Sequence, residues 1–202
     1  MPGRSIACCA PRIWWPRRER TSSISAQSKR GRRSQVASNF EIVSEFKRGI
    51  IEGVIVRDLR KFVDERGWLA ELFRHDELAA EFHPRMAYIS ATQPHVTRGP
   101  HEHRDQADLF CFIGPSNFKL RLWDNRKDSP SFGMMMTLFV GEDNPKAVLI
   151  PPGVVHAYRN IGHVPGIVIN CPNRLYMGEG RREPVDEIRH EDDPHTIFKM
   201  DD

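Results

Sequence analysis

His101-Glu102-His103 with Asp108 downstream, and Pro151-Pro152-Gly153-Val154-Val155-His156-Ala157-Tyr158-Arg159-Asn160, are the stretches on which the reading of this chain turns. They set three histidines and a carboxylate where a small β-barrel brings them to one point. Imidazole acts near neutral pH as base, acid or metal ligand, so such a cluster narrows the chemistry to acid–base or metal-assisted catalysis. Outward from these stretches run short β-rich segments separated by Gly, Pro, Asn and Asp, which predict an all-β domain. The expected strands are 53–57, 68–73, 86–92, 107–113, 118–123, 135–140, 147–150, 156–160 and 166–170. Phe118-Lys119-Leu120-Arg121-Leu122 alternates as a strand with one buried face should. Residues 75–82 form the one short helical segment, with Asp76 as its cap or first-turn anion. Many short strands in one domain predict a sandwich or jelly-roll β-barrel that carries its site inside.

A chain of 202 residues has room for one ordinary domain with an adequate core. No apolar run approaches the ~20 residues of a membrane-spanning helix, so integral membrane placement is rejected. The cysteines are Cys8, Cys9, Cys111 and Cys171, and no disulfide framework is legible among them, which fits a reducing, cytoplasmic setting. The net charge of +3 hides an asymmetry: residues 1–48 hold eleven Lys and Arg against three Asp and Glu, leaving 19 against 24 for the rest. The basic segment, from Arg4 through Arg17-Arg18 and Lys29-Arg30-Gly31-Arg32-Arg33, is Ser-rich and without amphipathic period, and predicts a disordered tail over 1–48. It reads as non-native sequence from an upstream start, as an organelle-type targeting segment, or as a nucleic-acid arm. Without aromatic interleaving for bases, nucleic acid is the weakest of the three, and no nucleic-acid partner is expected.

The pattern His101-x-His103, Asp108, Gly114, then Pro151-x-Gly153-x-x-His156-x-x-x-Asn160 resembles the two conserved motifs of the cupin superfamily. More narrowly, four segments are similar to the dTDP-4-dehydrorhamnose 3,5-epimerase family: Phe62-x-Asp64-Glu65-Arg66-Gly67-x-x-x-Glu71, Arg98-Gly99-x-His101, Asp124-x-Arg126-x-x-Ser129-Pro130-Ser131-Phe132-Gly133 and Pro151-x-Gly153-x-x-His156. Several ordered motifs over most of the chain are far more specific than a lone His-x-His. The resemblance implies a cupin-type jelly-roll barrel over 49–202, active as an epimerase on a nucleotide-linked 4-keto-6-deoxy sugar in polysaccharide precursor synthesis. It implies proton abstraction alpha to the ketone, no required cofactor, and a homodimer. On that resemblance His101 is the base, and Asp193, or Asp192 beside it, is the carboxylate that pairs with it. His156 is the second-motif histidine. Arg66 and Glu71 match nucleotide-contacting positions that reach a neighbouring subunit, Arg98 lies where it would neutralise substrate charge, and Trp68 is a candidate for stacking on a base.

Three positions depart from the family pattern. His103 stands where the family has glutamine, Asp108 where it has an enolate-holding lysine, and Ile169 or Asn170 where it has the proton-donating tyrosine. Gln to His and Lys to Asp would rebuild a three-histidine, one-carboxylate set, His101, His103, Asp108 and His156, of the kind that holds Fe, Mn, Ni or Zn. A carboxylate cannot stabilise an enolate as an ammonium does, whereas a metal ion can. The alternatives are a metal-dependent cupin isomerase or dioxygenase on another small substrate, and a sugar-nucleotide-binding cupin without catalysis. Asp108 also has a plain reading as an ion-pair partner of Arg104 or Lys119. His83, His95, His163, His190 and His195 read as exposed loop residues, and Trp123, Phe110 and Phe112 as barrel packing.

Overall fold

The structure, a computed structural model, describes residues 45–201. Thirteen strands follow in order: β1 (Lys47–Arg48), β2 (Ile55–Asp58), β3 (Lys61–Asp64), β4 (Gly67–Ala70), β5 (Tyr88–Thr92), β6 (Thr97–Glu102), β7 (Asp108–Phe112), β8 (Asn117–Asp124), β9 (Met134–Gly141), β10 (Lys146–Ile150), β11 (Val154–Asn160), β12 (Gly166–Asn170) and β13 (Ile188–Arg189). They form a six-stranded sheet of order β1-β9-β8-β11-β6-β13, a five-stranded sheet of order β2-β10-β7-β12-β5, and a separate β3-β4 hairpin. The two large sheets share no strand, so the jelly roll is a sandwich open at its seams. All described pairings are antiparallel except β1 with β9.

Between the sheets lies a core of Phe110 and Phe112 from β7, Phe118, Leu120 and Leu122 from β8, Val148 and Ile150 from β10, and Tyr158 from β11. The outer face of the five-stranded sheet is covered as well. There Leu109 and Cys111 of β7 and Ala147 and Leu149 of β10 pack beneath Leu72, Phe73, Leu78 and Phe82. On the outside of the six-stranded sheet Trp123, Val155 and Ala157 are covered by Phe46, Phe198 and Met200. Strands β7 and β11 are therefore buried on both faces and read as near-continuous apolar runs, where β8 alternates only over its first half. Each of these phenylalanines contributes roughly 1.5–3 kcal/mol by leaving water.

Several expectations shift. The fold begins before the boundary drawn at residue 48: Phe46 packs on Phe198 with ring centroids 5.4 Å apart, and Lys47 donates to the Gly133 carbonyl at 2.9 Å. The rest of the expected tail, 1–44, lies outside the described residues. The segment expected as one helix is two 3₁₀ turns, His75–Glu77 and Ala80–Phe82, broken by extended backbone at Leu78 and Ala79. Asp76 makes no cap but is a first-turn anion of the first of these, and pairs with Arg74 at 2.7 Å. Strand β6 escaped the sequence reading because Gly99-Pro100 at its centre argues against a strand. Its geometry explains that pair: Gly99 has φ +82°, and a Cβ there would lie 2.6 Å from the His156 carbonyl oxygen, so only glycine lets β6 lie this close to β11.

Candidate functional site

His101 and His103 alternate to the same face of β6 and its extension, and His156 lies directly across from His101 in the β6–β11 ladder. The rings of His101 and His156 meet edge-on at 4.5 Å, and one nitrogen from each of the three histidines falls within 4.8 Å of the others. Asp108 enters from the facing sheet at the start of β7. It is 1 % exposed, and its Oδ2 stands 3.1 Å from Nε2 of His103 and 3.3 Å from Nε2 of His156. The ion pair expected with Arg104 or Lys119 is not made. Oδ1 of Asp108 instead accepts from the amides of Gln106 and Asn170, each at 2.9 Å.

The turn before β11 is held by a buried knot. Asp124 accepts from Nε of Arg126 at 2.8 Å, from Ser129 Oγ at 2.6 Å and from Ser131 Oγ at 2.5 Å, and these groups hold its carboxyl below the usual range against the effect of burial. Arg126 in turn packs on Gly153, whose φ of +76° no residue with a Cβ adopts readily and whose Cβ would meet Arg126 Cγ at 2.6 Å. Gly153 N donates to the His103 carbonyl at 2.8 Å, which joins the two histidine segments. The Asp-x-Arg-x-x-Ser-x-Ser motif is thus scaffolding for the histidines.

Backbone carbonyls decide the histidine tautomers. His103 Nδ1 is hydrogen-bonded to the Asp186 carbonyl, and His156 Nδ1 to the Val154 carbonyl at 3.1 Å. A carbonyl only accepts, so each Nδ1 carries a proton and each ring turns its Nε2 toward the centre. Both Nε2 atoms face a carboxylate oxygen, which only accepts. Neither Asp108 Oδ2 nor His156 Nε2 has a hydrogen-bond partner although both are buried. Such a convergence of electron pairs is repulsive until a proton or another cation sits among them. Burial and the neighbouring His156 push His101 well below the usual imidazole range, which leaves it neutral. Burial alone would lower His103 too, but the Asp108 carboxylate outweighs it and raises His103 to about 9, while the histidines hold Asp108 well below the usual carboxylate range.

The other sequence candidates lie elsewhere. Asp193 is exposed and accepts from the His195 amide at 2.9 Å; neither a hydrogen bond nor an ion pair joins it to His101. The carboxylate beside His101 is Glu187, with Oε1 3.9 Å from Nδ1 and both side chains 15 % exposed. Sequence reasoning passed over it because no motif contains it: it precedes β13, which the fold lays alongside β6. Arg66 and Trp68 sit on the β3–β4 hairpin, Arg66 paired with Asp64 and Trp68 beneath Lys61 Nζ at 4.9 Å from its ring centroid. Glu71 follows the hairpin and lies 3.7 Å from Arg74. Arg98 donates to Thr92 Oγ1 at 3.0 Å and to the Ala91 carbonyl at 2.8 Å, tying β6 to β5. His190 is no exposed loop residue: its ring packs 4.5 Å from that of Phe198, and its Nε2 lies 3.4 Å from Glu102 Oε1.

Residues 48–185 match the family model of dTDP-4-dehydrorhamnose 3,5-epimerase. The chain belongs to that family. It is similar to a probable low-salt glycan biosynthesis epimerase of Haloferax volcanii, 38 % identical over 62 % of this chain and 81 % of the relative. It is also similar to a spore coat polysaccharide biosynthesis protein of Bacillus subtilis, 41 % identical over 68 % of this chain and 92 % of the relative. Among solved structures, the dTDP sugar isomerase of Desulfovibrio desulfuricans superposes with a TM-score of 0.63 at 25 % identity, over 74 % of this chain and 91 % of that one. The epimerase family is cofactor-independent and its members are cupin jelly rolls, so this chain is a sugar epimerase, an isomerase, on that fold. Among the described residues no helix is long and apolar enough to cross a membrane.

Proposed function

We propose that the pocket removes a proton alpha to the ketone of a nucleotide-linked 4-keto-6-deoxy sugar, with His101 as base, and that a divalent metal ion beside it replaces the family's lysine. The observation that carries the metal is the facing of buried Asp108 Oδ2 and His156 Nε2 at 3.3 Å without a hydrogen bond. That separation, with the 3.1 Å to His103, matches the ~3.3 Å between ligand atoms around a tetrahedral ion with bonds of about 2.0–2.1 Å. His103, His156 and Asp108 would hold the ion and leave a position open, with His101 either free as base or recruited as a fourth ligand. Bound there, the ion would polarise the ketone and stabilise the enolate. The chain's own residues do the rest. Glu187, 3.9 Å from His101 Nδ1, would offset the charge that His101 gains on taking the proton, and the carbonyls of Asp186 and Val154 keep the other two rings turned inward.

A metal-free reading has its own support, since Asp108 raises His103 to about 9 and an imidazolium there would supply the positive charge instead. Metal analysis of the purified protein, followed by proton exchange of dTDP-4-keto-6-deoxyglucose in deuterated water before and after chelation, separates the two. The expected result is stoichiometric metal and exchange that chelation stops. Full exchange in protein shown to be metal-free returns the site to histidine acid–base chemistry, and no exchange in metal-loaded protein removes the 4-keto sugar altogether.

The homodimer belongs to the same proposal. The hairpin pairs with neither large sheet and leaves Phe62 and Leu69 on one face and Val63 and Trp68 on the other more than half exposed, apolar side chains of the kind a second copy covers. A twofold partner would bring Arg66, Trp68 and Glu71 to the nucleotide of the neighbouring pocket. The buried thiols Cys111 and Cys171 are free, which suits a reducing cytoplasm.

A further inference from the structure

The family's proton-donating tyrosine is missing from β12, but its chemistry has a substitute one strand away. Asn170, at the end of β12, is paired in the ladder directly with Tyr88, the first residue of β5. Its Nδ2 donates both to Asp108 Oδ1 at 2.9 Å and to the Tyr88 hydroxyl oxygen at 2.8 Å. The carboxylate only accepts, so the amide orientation is fixed with its NH₂ toward Asp108, and both of its N–H groups are spent. The Tyr88 oxygen accepts one of them, and its own O–H is left to donate elsewhere. One amide nitrogen thus bridges the phenol to the carboxylate at the centre of the histidine cluster.

Of the three tyrosines in the chain, Tyr158 is 3 % exposed, with its ring against Phe110, Phe112 and Phe118 and its hydroxyl on Ser90 Oγ at 2.9 Å. It is core. Tyr176 lies in the segment after β12, outside the strands, with its amide on Met86 Sδ at 3.1 Å. Tyr88 is 44 % exposed at the start of β5, the edge strand of its sheet. Its strand presents a row of inward hydroxyls, Tyr88, Ser90 and Thr92, of which Ser90 and Thr92 are engaged by Tyr158 and Arg98. His101 belongs to the opposite sheet. Inversion at carbon requires removal of a proton from one face and its return to the other, and groups on two facing sheets are disposed for that.

We infer that Tyr88, held by Asn170, is the proton donor of the reaction, the phenol having moved from the β12 position to its cross-strand neighbour on β5. The inference rests on the reading of the pocket as one that forms an enolate. In the donation step the enolate π-electron pair forms the new C–H bond with the Tyr88 proton, the ketone C=O is restored, and the O–H electrons stay on the phenolate. The Asn170 N–H stabilises that phenolate until water reprotonates it.

The test is Tyr88→Phe with dTDP-4-keto-6-deoxyglucose in deuterated water, following by NMR both deuterium entry into the unepimerised sugar and the appearance of epimerised product. His101 still takes the proton and returns a deuteron to the same face. Deuterium entry should therefore stay within about threefold of wild type while product falls by about 100-fold or more. Both signals come from one preparation, so their ratio is independent of the folded fraction. A product-to-exchange ratio equal to that of the wild type overturns the inference, whether both rates are unchanged or fall together. Absence of exchange in the wild type overturns instead the enolate reading on which it rests.

Discussion

The histidine end of the sandwich and the β3–β4 hairpin hold the residues expected to meet one substrate, and they are built in opposite ways. At the histidine end each polar group is enclosed: Asp108 touches two imidazoles and two amides, and the loops behind it are pinned by the Asp124 knot and by Asp186, whose carboxylate accepts from the amides of Arg104, Asp105 and Gln106 at 2.9 Å each. The hairpin has Arg66 82 % exposed beside its neighbour Asp64 and apolar side chains facing outward. A site whose chemistry depends on sub-ångström placement is built on two packed sheets, whereas a nucleotide can be gripped by a hairpin. The difference teaches that the first region is enclosed by its own chain and the second stands open to solvent.

The sharpest way to break this comparison is His101→Asn. Proton exchange should fall by about 1,000-fold or more with KM little changed, because the general base acts in the transition state and not in binding. Retained stoichiometric metal in that variant assigns His101 as base; lost metal assigns it as a ligand. The scaffold behind the histidines is probed by Asp124→Asn, which leaves the buried Ser131 and the part-buried Arg126 and Ser129 donors facing a neutral amide and should cost about 3 kcal/mol in denaturant unfolding. The folded pKa of Asp124 is depressed, so its contribution is fully present above the unfolded value near 3.8 and is lost as pH falls through the folded value. Stability curves of wild type and variant should therefore converge on acidification below about pH 4, and curves that stay parallel would remove the ion pair as the cause.

On the hairpin, Leu69→Asp places a charge on an exposed apolar side chain. It should weaken dimerisation by about 30-fold in sedimentation with little change in the melting of the monomer. A wild type that sediments as a monomer at micromolar concentration would end the two-copy reading. The smallest effect is expected for Arg66→Ala, a rise in KM of about tenfold with kcat nearly constant. Mixing that protein with His101→Asn should restore wild-type KM in part, since a heterodimer assembles one pocket with an intact base and an intact hairpin. A mixture that behaves as the average of its components would place Arg66 in its own chain's site.

The chemistry-bearing residues were legible where ordered motifs carry them, as for His101, His103, Asp108 and His156, although the strand beneath the first two was not, because Gly99-Pro100 interrupts it. The all-β class was legible from turn residues, and the family from ordered motifs. Glu187 was not legible, because β13 joins β6 across 85 residues of chain and two residues of strand carry no periodic signal. Asp193, taken instead on family likeness, sits four residues beyond Arg189, where that pairing ends, and faces solvent.

By itself, then, the sequence determined which groups were available: three imidazoles, a carboxylate in place of an ammonium, and no tyrosine at the family's position. Only the tertiary structure decided what those groups are. Asp108 is a central acceptor and not a surface ion-pair partner because β7 is buried on both faces, and Asn170 presents Tyr88 because the β12–β5 register sets them opposite each other. The physical reason is that polarity, charge and volume belong to the residue, while partnership and desolvation belong to strands distant in sequence that pack face to face.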